Sequence, residues 1–234
     1  MQLFYTQQIT SQAAAFDETE SSHAIQVLRL KSDDEINFTD GAGKLYSGKV
    51  ELVGKKQFIA NHIKLIKTAV EPKTKIHLYV SPTKMSDRFE WLVEKATELG
   101  VSSITPLICE RTIKKNQNTR RLKTLALSGM KQSLQLFLPV IHEPQQLTKI
   151  DFNLPTSKFY FGYCGEGEKQ ELNSIKLDEQ NLHFFIGPEG DFTNQEIDFF
   201  QKNKCTPLTF GETRLRTETA GIYLMGVMKF LISN

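Results

Sequence analysis

The chain has 234 residues, a formal net charge of +2, 39% hydrophobic and 24% charged residues, a balance that suits a soluble globular protein with one large core or two smaller ones. No apolar run reaches the length of a membrane span, and Met1–Tyr5 lacks the basic start and apolar core of a signal segment, so a cytoplasmic protein is expected. Cys109, Cys164 and Cys205 are far apart, and none of the five histidines stands at metal-ligand spacing from them. That excludes a disulfide framework and a zinc cluster and points to buried, reduced thiols and no metal.

Residues up to about Lys67 read as a small β-rich domain. Ser21–Arg29 predicts one short helix with Ile25 and Leu28 on its buried side. Glu35–Thr39 alternates and meets Asp40-Gly41-Ala42-Gly43, a hairpin signal, before Leu45–Val53 returns. Gln57–Leu65 supplies a further strand. Thr68–Lys73 predicts a boundary, giving domains over 1–70 and 71–234.

Beyond it, strands and helices alternate. Lys75–Val80 predicts a strand. Met85, Phe89, Leu92, Val93, Ala96 and Leu99 then recur at helical spacing, closed by Gly100. Ser103–Ile108 is the next strand, Thr119–Phe137 the next helix, and Lys158–Phe161 another strand. The loop Gly162–Gly167 that follows is glycine-rich but lacks the full dinucleotide fingerprint. Such alternation implies a mostly parallel sheet with helices on both faces.

Two more strand-loop-helix units end the chain. Leu182–Ile186 has the length and aromatic content of a buried strand, stopped by Gly187-Pro188. Thr193-Asn194-Gln195-Glu196 is a capping box, so a helix begins there. Pro207–Phe210 reads as a strand, Gly211 as a turn, and Thr217 as the cap of a helix from Glu218 to about Ile232. Ala220–Met228 carries no charge. A helix apolar all round is buried all round; a second subunit would supply the burial, so a homodimer is expected, with the central helix of one large monomeric core as the alternative. Glycine-bearing loops at strand carboxyl ends are where open α/β sheets hold small ligands.

The small net charge hides an asymmetry: Lys44–Lys131 holds 18 Lys plus Arg against 7 Asp plus Glu. Phosphate backbones attract such a surface regardless of base sequence, so nucleic acid is the favoured partner.

Ile186-Gly187-Pro188-Glu189-Gly190, together with Leu215-Arg216-Thr217-Glu218-Thr219-Ala220, resembles the RsmE family, the 16S ribosomal RNA uracil-N3 methyltransferases of the SPOUT superfamily. The resemblance extends to His23 with Val27-Leu28-Arg29, to Lys95–Val101, to Ile104-Thr105-Pro106 and to Arg111, nearly the whole chain. Two departures are visible. Gln135 stands where the family commonly has an arginine, so Lys131–Gln135 is assigned no catalytic role. Asp191 stands where a further glycine is frequent, a change expected to alter only the loop.

The resemblance implies an N-terminal PUA-like β-barrel for RNA and a C-terminal trefoil-knotted SPOUT domain that binds S-adenosylmethionine and forms a homodimer. The implied substrate is uridine 1498, in helix 44 of 16S rRNA in the assembled 30S subunit. Arg216 is the first choice for a cation facing the charge that N3 deprotonation spreads onto O2 and O4. Glu218, near a helix start, is the second catalytic candidate and a more natural loop organiser than base. Arg216 could instead pair with Glu218 or Glu189. Gly162, Ile186, Gly187, Pro188, Gly190, Phe210, Gly211, Leu215, Thr217 and Ala220 are the cofactor-binding candidates, offering close backbone approach and apolar walls. His23, Arg29, Arg111, Arg120 and Arg121 are the RNA-binding candidates. A ribose 2′-O-methyltransferase and a non-catalytic RNA-binding assembly factor are the competing readings.

Overall fold

The computed structural model describes residues 2–54 and 56–233. Contacts divide the chain into two units. One runs to Glu71 and also takes Met130–Leu138; the other comprises Pro72–Gly129 and the chain from Pro139 onward.

The first unit is a six-stranded sheet: β1 (Leu3–Tyr5), β2 (Gln8–Ile9), β3 (Ala13–Ala15), β4 (Glu35–Thr39), β5 (Lys44–Val53) and β6 (Gln57–Thr68), in the order β1-β4-β5-β6-β3-β2. Only β1 and β4 pair in parallel; the β4–β5 hairpin turns at the expected Asp40–Gly43. Phe4, Phe16, Phe38 and Phe58 fill its core, with Phe16 stacked on Phe58 at 4.4 Å between centroids. The helix expected at Ser21–Arg29 instead starts earlier, as α1 (Glu18–Ser22), and continues as a π-helical turn over His23–Val27. Wider winding changes which side chains point inward. Ala24 is buried, whereas Val27 and Leu28 are exposed.

In the second unit, β7 (Lys75–Val80), β8 (Ser103–Ile108), β9 (Val140–Ile141), β10 (Gln145–Gln146), β11 (Ser157–Gly162), β12 (Gln170–Glu171), β13 (Asn181–Ile186) and β14 (Thr206–Thr209) form one sheet. Its order is β10-β8-β7-β13-β11-β14-β12, with β9 beside β8. Every pairing is parallel. Leu182–Ile186 is buried throughout, as a parallel strand covered on both faces must be. The aromatic core joins strand to helix: Phe161 stacks on Phe200 at 4.6 Å and Phe185 meets the same ring at 5.2 Å.

The helices are α2 (Ser86–Glu98), α3 (Thr119–Gln132), α4 (Asn194–Lys202) and α5 (Thr217–Ser233). The capping box at Thr193 is present in both directions. Helix α3 stops short of the expected Phe137 because Leu134 turns left-handed, at φ 56°. The Gln135 N–H reaches back to the Met130 carbonyl, the hydrogen-bonded ending usual at such a turn. Lys131 pairs with the buried Glu20 of the first unit's own helix, which gives the Lys131–Gln135 segment a structural setting.

Within one chain, helix α5 turns Ala220, Leu224, Met225 and Met228 inward and leaves Tyr223 48% exposed. One expectation, that the thiols are all buried, needs correction. Cys164 is exposed; Cys109 and Cys205 are buried, and all three are free thiols. Burial pushes the Cys205 thiol up to about 12. No helix of the described residues is long and apolar enough to cross a membrane.

Candidate functional site

The sheet's register brings its strand ends level. Val80 lies opposite Ile186, Ile186 opposite Gly162, and Gly162 opposite Leu208. The chain also switches direction across the sheet here, since β13 lies on one side of β11 and β14 on the other. Loops leaving such ends enclose a crevice, the usual place for a small ligand in an open α/β sheet. A cleft of about 700 Å³ opens at this edge, within the range of small-molecule sites.

All ten cofactor-binding candidates line it: Ile186, Gly187, Pro188 and Gly190 from the loop after β13, Gly162 from the end of β11, and Phe210, Gly211, Leu215, Thr217 and Ala220 from the loop after β14 and the start of α5. A Cβ on Gly162 would lie 2.1 Å from the Phe210 ring. Only glycine lets that ring close on the strand end. Gly211 turns at φ 106°, a conformation that favours glycine.

The loop after β13 is tied to four neighbours. Glu189 Oε1 accepts from the Lys84 N–H at 2.9 Å, holding the loop after β7. Arg111 Nη1 donates to the Gly190 carbonyl at 2.6 Å, holding the loop after β8. Asp191, at φ 60°, accepts from the Cys164 N–H through Oδ2 at 2.8 Å, holding the loop after β11. Thr217 Oγ1 donates to the Gly187 carbonyl at 3.0 Å, holding the start of α5. The loop is therefore a junction rather than a free turn.

Of the two catalytic candidates, Arg216 lies on the cleft wall and is exposed. Glu218 does not line it. Only 8% exposed, it turns one oxygen toward Arg88 Nη1 at 3.8 Å and leaves Oε2 without a hydrogen-bond partner among the described residues. Both acids offered as partners for Arg216 thus face elsewhere, Glu189 to Lys84 and Glu218 to Arg88. Arg214 and Lys169 add positive charge to the same cleft.

The RNA-binding candidates divide between the two units. His23 sits in the π-helical turn and Arg29 at a left-handed position just after it, both in the first unit. Arg120 and Arg121 occupy the first turn of α3, where Arg121 Nε meets Glu90 Oε2 at 3.1 Å. Arg111 lines the cleft, with its guanidinium on loop carbonyls. Sequence reasoning passed over Asp191 as a mere loop variant. Aspartate's tolerance of left-handed backbone was the available signal; its bond to residue 164 was not readable. Lys84 takes part through its backbone alone, which no sequence pattern marks. Among the described residues no group of three His, Cys, Asp or Glu could hold a metal.

Comparison with known proteins agrees with this architecture. The class that fold and cleft define is an RNA methyltransferase: the RNA methyltransferase domain family matches residues 70–229, and the RNA methyltransferase PUA domain matches residues 16–61. The ribosomal RNA small subunit methyltransferase E of Mesomycoplasma hyopneumoniae is 32% identical over 71% of this chain and 74% of its own. That of Aquifex aeolicus is 27% identical over 97% of this chain and 99% of its own. The crystal structure of the enzyme from Neisseria gonorrhoeae bound to S-adenosyl methionine superposes with a TM-score of 0.86 at 26% identity, covering 99% of this chain and 98% of that one. The chain belongs to the ribosomal RNA small subunit methyltransferase E family, RsmE.

Proposed function

We propose that the protein methylates N3 of uridine 1498 in 16S rRNA, using S-adenosylmethionine held in the cleft at the sheet's carboxyl edge. The observation that carries this reading is the meeting of both motif loops around one cleft, joined by Thr217 and Gly187. The residues fit the cofactor: a glycine-lined crevice of ligand size, apolar walls at Ile186, Leu215 and Phe210, and main-chain donors and acceptors between them. When bound, S-adenosylmethionine supplies an electrophilic methyl on a sulfonium. The reading includes the trefoil knot, supported by β11 lying between β13 and β14 and by the start of α5 bonding into the loop after β13.

The protein's own contribution is positioning and charge. Uridine N3 carries a proton at neutral pH, and its loss leaves negative charge on O2 and O4. The exposed Arg216 guanidinium on the cleft wall is suited to face that charge. Arg111, Glu189 and Thr217 hold the loops in place and need not touch the base. N3 lies on the pairing edge, so the base must leave its stack before it reaches the cleft. His23, Arg29, Arg120 and Arg121 are assigned to phosphate contacts, for which a steep loss of affinity with salt is the expected signature.

The functional form is taken to be a homodimer in the cytoplasm. Supporting the dimer are the apolar residues left open along two adjacent helices, Trp91 on α2 at 46% exposure with Met85 just before it at 52%, and Tyr223 and Ile232 on α5 at 48% and 41%. Labelled cofactor incubated with purified small subunits, followed by mapping of the modified nucleotide, tests the whole reading. A single methyl on uridine N3 is expected; a methyl on ribose, or none, overturns it.

A further inference from the structure

Asp191 occupies a backbone position at φ 60°, which glycine adopts without strain and which, among residues with a side chain, aspartate and asparagine tolerate best. Both of its carboxylate oxygens accept main-chain N–H groups. Oδ1 takes that of Phe192 at 2.8 Å, a local bond. Oδ2 takes that of Cys164 at 2.8 Å, 27 positions back along the chain. This second bond crosses from one wall of the cleft to another.

The loop that receives it is also held from within: Tyr163 Oη donates to the Glu166 carbonyl at 2.9 Å, and Lys169 Nζ donates to the Gly165 carbonyl and lies over the Tyr163 ring, but none of these three contacts reaches the loop after β13. Cys164, Gly165, Glu166, Gly167 and Glu168 are all exposed, and the glycines widen the range of conformations open to the chain. A bond from a carboxylate to a backbone N–H is charge-assisted and stronger than a neutral one. Without it, the placement of this loop against the loop after β13 would be fixed only when a ligand arrived, and the cost would fall on binding.

We propose that Asp191 is a positioning residue for the cofactor pocket: its carboxylate clips the glycine-rich loop after β11 to the loop after β13, so that both walls stand ready before S-adenosylmethionine enters. The inference rests on the reading of this cleft as the cofactor's site. Glycine would take this backbone without strain but would bring no carboxylate to make the clip.

Asp191→Gly and Asp191→Asn test this on the full chain, by calorimetric titration with S-adenosylmethionine and by amide hydrogen exchange over residues 163–169. Glycine accepts the backbone geometry, so the variant folds; asparagine tolerates it and keeps one acceptor oxygen. Asp191→Gly is expected to weaken the cofactor roughly ten-fold and to speed exchange at the Cys164 amide by a similar factor, with Asp191→Asn between it and wild type. The exchange measurement needs no cofactor and would move for the clip alone. Unchanged affinity in both variants, with wild type binding, overturns the inference and leaves the cofactor reading standing. Failure of the wild type to bind removes both.

Discussion

The buried hydroxyl of Thr217 donates to the Gly187 carbonyl at 3.0 Å, fastening the first turn of α5 under the loop that ends β13. These residues are 30 positions apart, and each belongs to a different motif. Their bond makes one cleft out of two loops. Thr217→Val keeps the shape and leaves that carbonyl without its donor, at a cost of about 1–3 kcal/mol. Thermal melting should fall by roughly 2–4 °C per kcal/mol, with weaker cofactor binding alongside. Unchanged melting and binding would show that the bond is dispensable.

Arg216 and the two acids weighed as its partners, Glu189 and Glu218, part company in the fold. With Glu189 on Lys84 and Glu218 turned to Arg88, the guanidinium is left to the cleft. Arg216→Ala should lower methyl transfer by about 10²–10³-fold, the scale of losing one charge-stabilising donor, while calorimetric binding of S-adenosylmethionine stays close to wild type. Wild-type turnover in that variant would rule the role out.

A pH dependence follows from His183. Its ring is sandwiched between His77 and Phe159, at 4.5 and 4.6 Å, and neither ring nitrogen finds a partner among the described residues. Burial, with the neighbouring His77 adding to it, pushes its pKa down to about 3 from 6.5. The unfolded chain therefore takes up the proton first. Stability is full above about pH 6.5 and falls as pH drops toward 3, by up to about 5 kcal/mol. His77 is shifted in the same direction, chiefly by burial. Urea midpoints should stay level from pH 7.5 to about 6.5 and decline from there to 4.5, and His183→Phe should flatten part of that slope. Parallel curves for variant and wild type would refute the assignment.

Gly129 lies on α3 against the backbone of α2. A Cβ there would sit 2.9 Å from the Glu94 carbonyl oxygen and 3.3 Å from the Thr97 Cβ. Backbone cannot swing aside as a side chain can. Gly129→Ala gains about 1 kcal/mol of helix propensity and should still destabilise by about 1–3 kcal/mol through overpacking. A melting temperature at or above wild type would mean that the helices separate more easily than their packing suggests.

Much of the fold was legible because it is written in short-range pattern. The strands at Lys75–Val80 and Ser103–Ile108 have the residue bounds that their apolar runs predict. The capping box at Thr193 needs only four consecutive residues. Where local winding departed from the ordinary helix, the reading failed. The π-helical turn buried Ala24 rather than Ile25 and Leu28, and a left-handed Leu134 ended α3 before its apolar spacing did.

The amino-acid order by itself determined the long strands and helices of the second unit, where the two glycine loops begin, and which side chains the cleft has to offer. Short strands such as Ala13–Ala15 and Gln170–Glu171 carried no readable pattern. Hydrophobic period and turn chemistry act over a few residues, so they can be read along a line. Tertiary structure alone decided that Glu189 serves Lys84, that Asp191 serves Cys164, and that Arg216 is left facing the cleft. Those pairings depend on the parallel register that sets Val80, Ile186 and Gly162 side by side. Hydrogen bonds reach about 3 Å, and no spacing in the chain states which distant groups folding will bring that close.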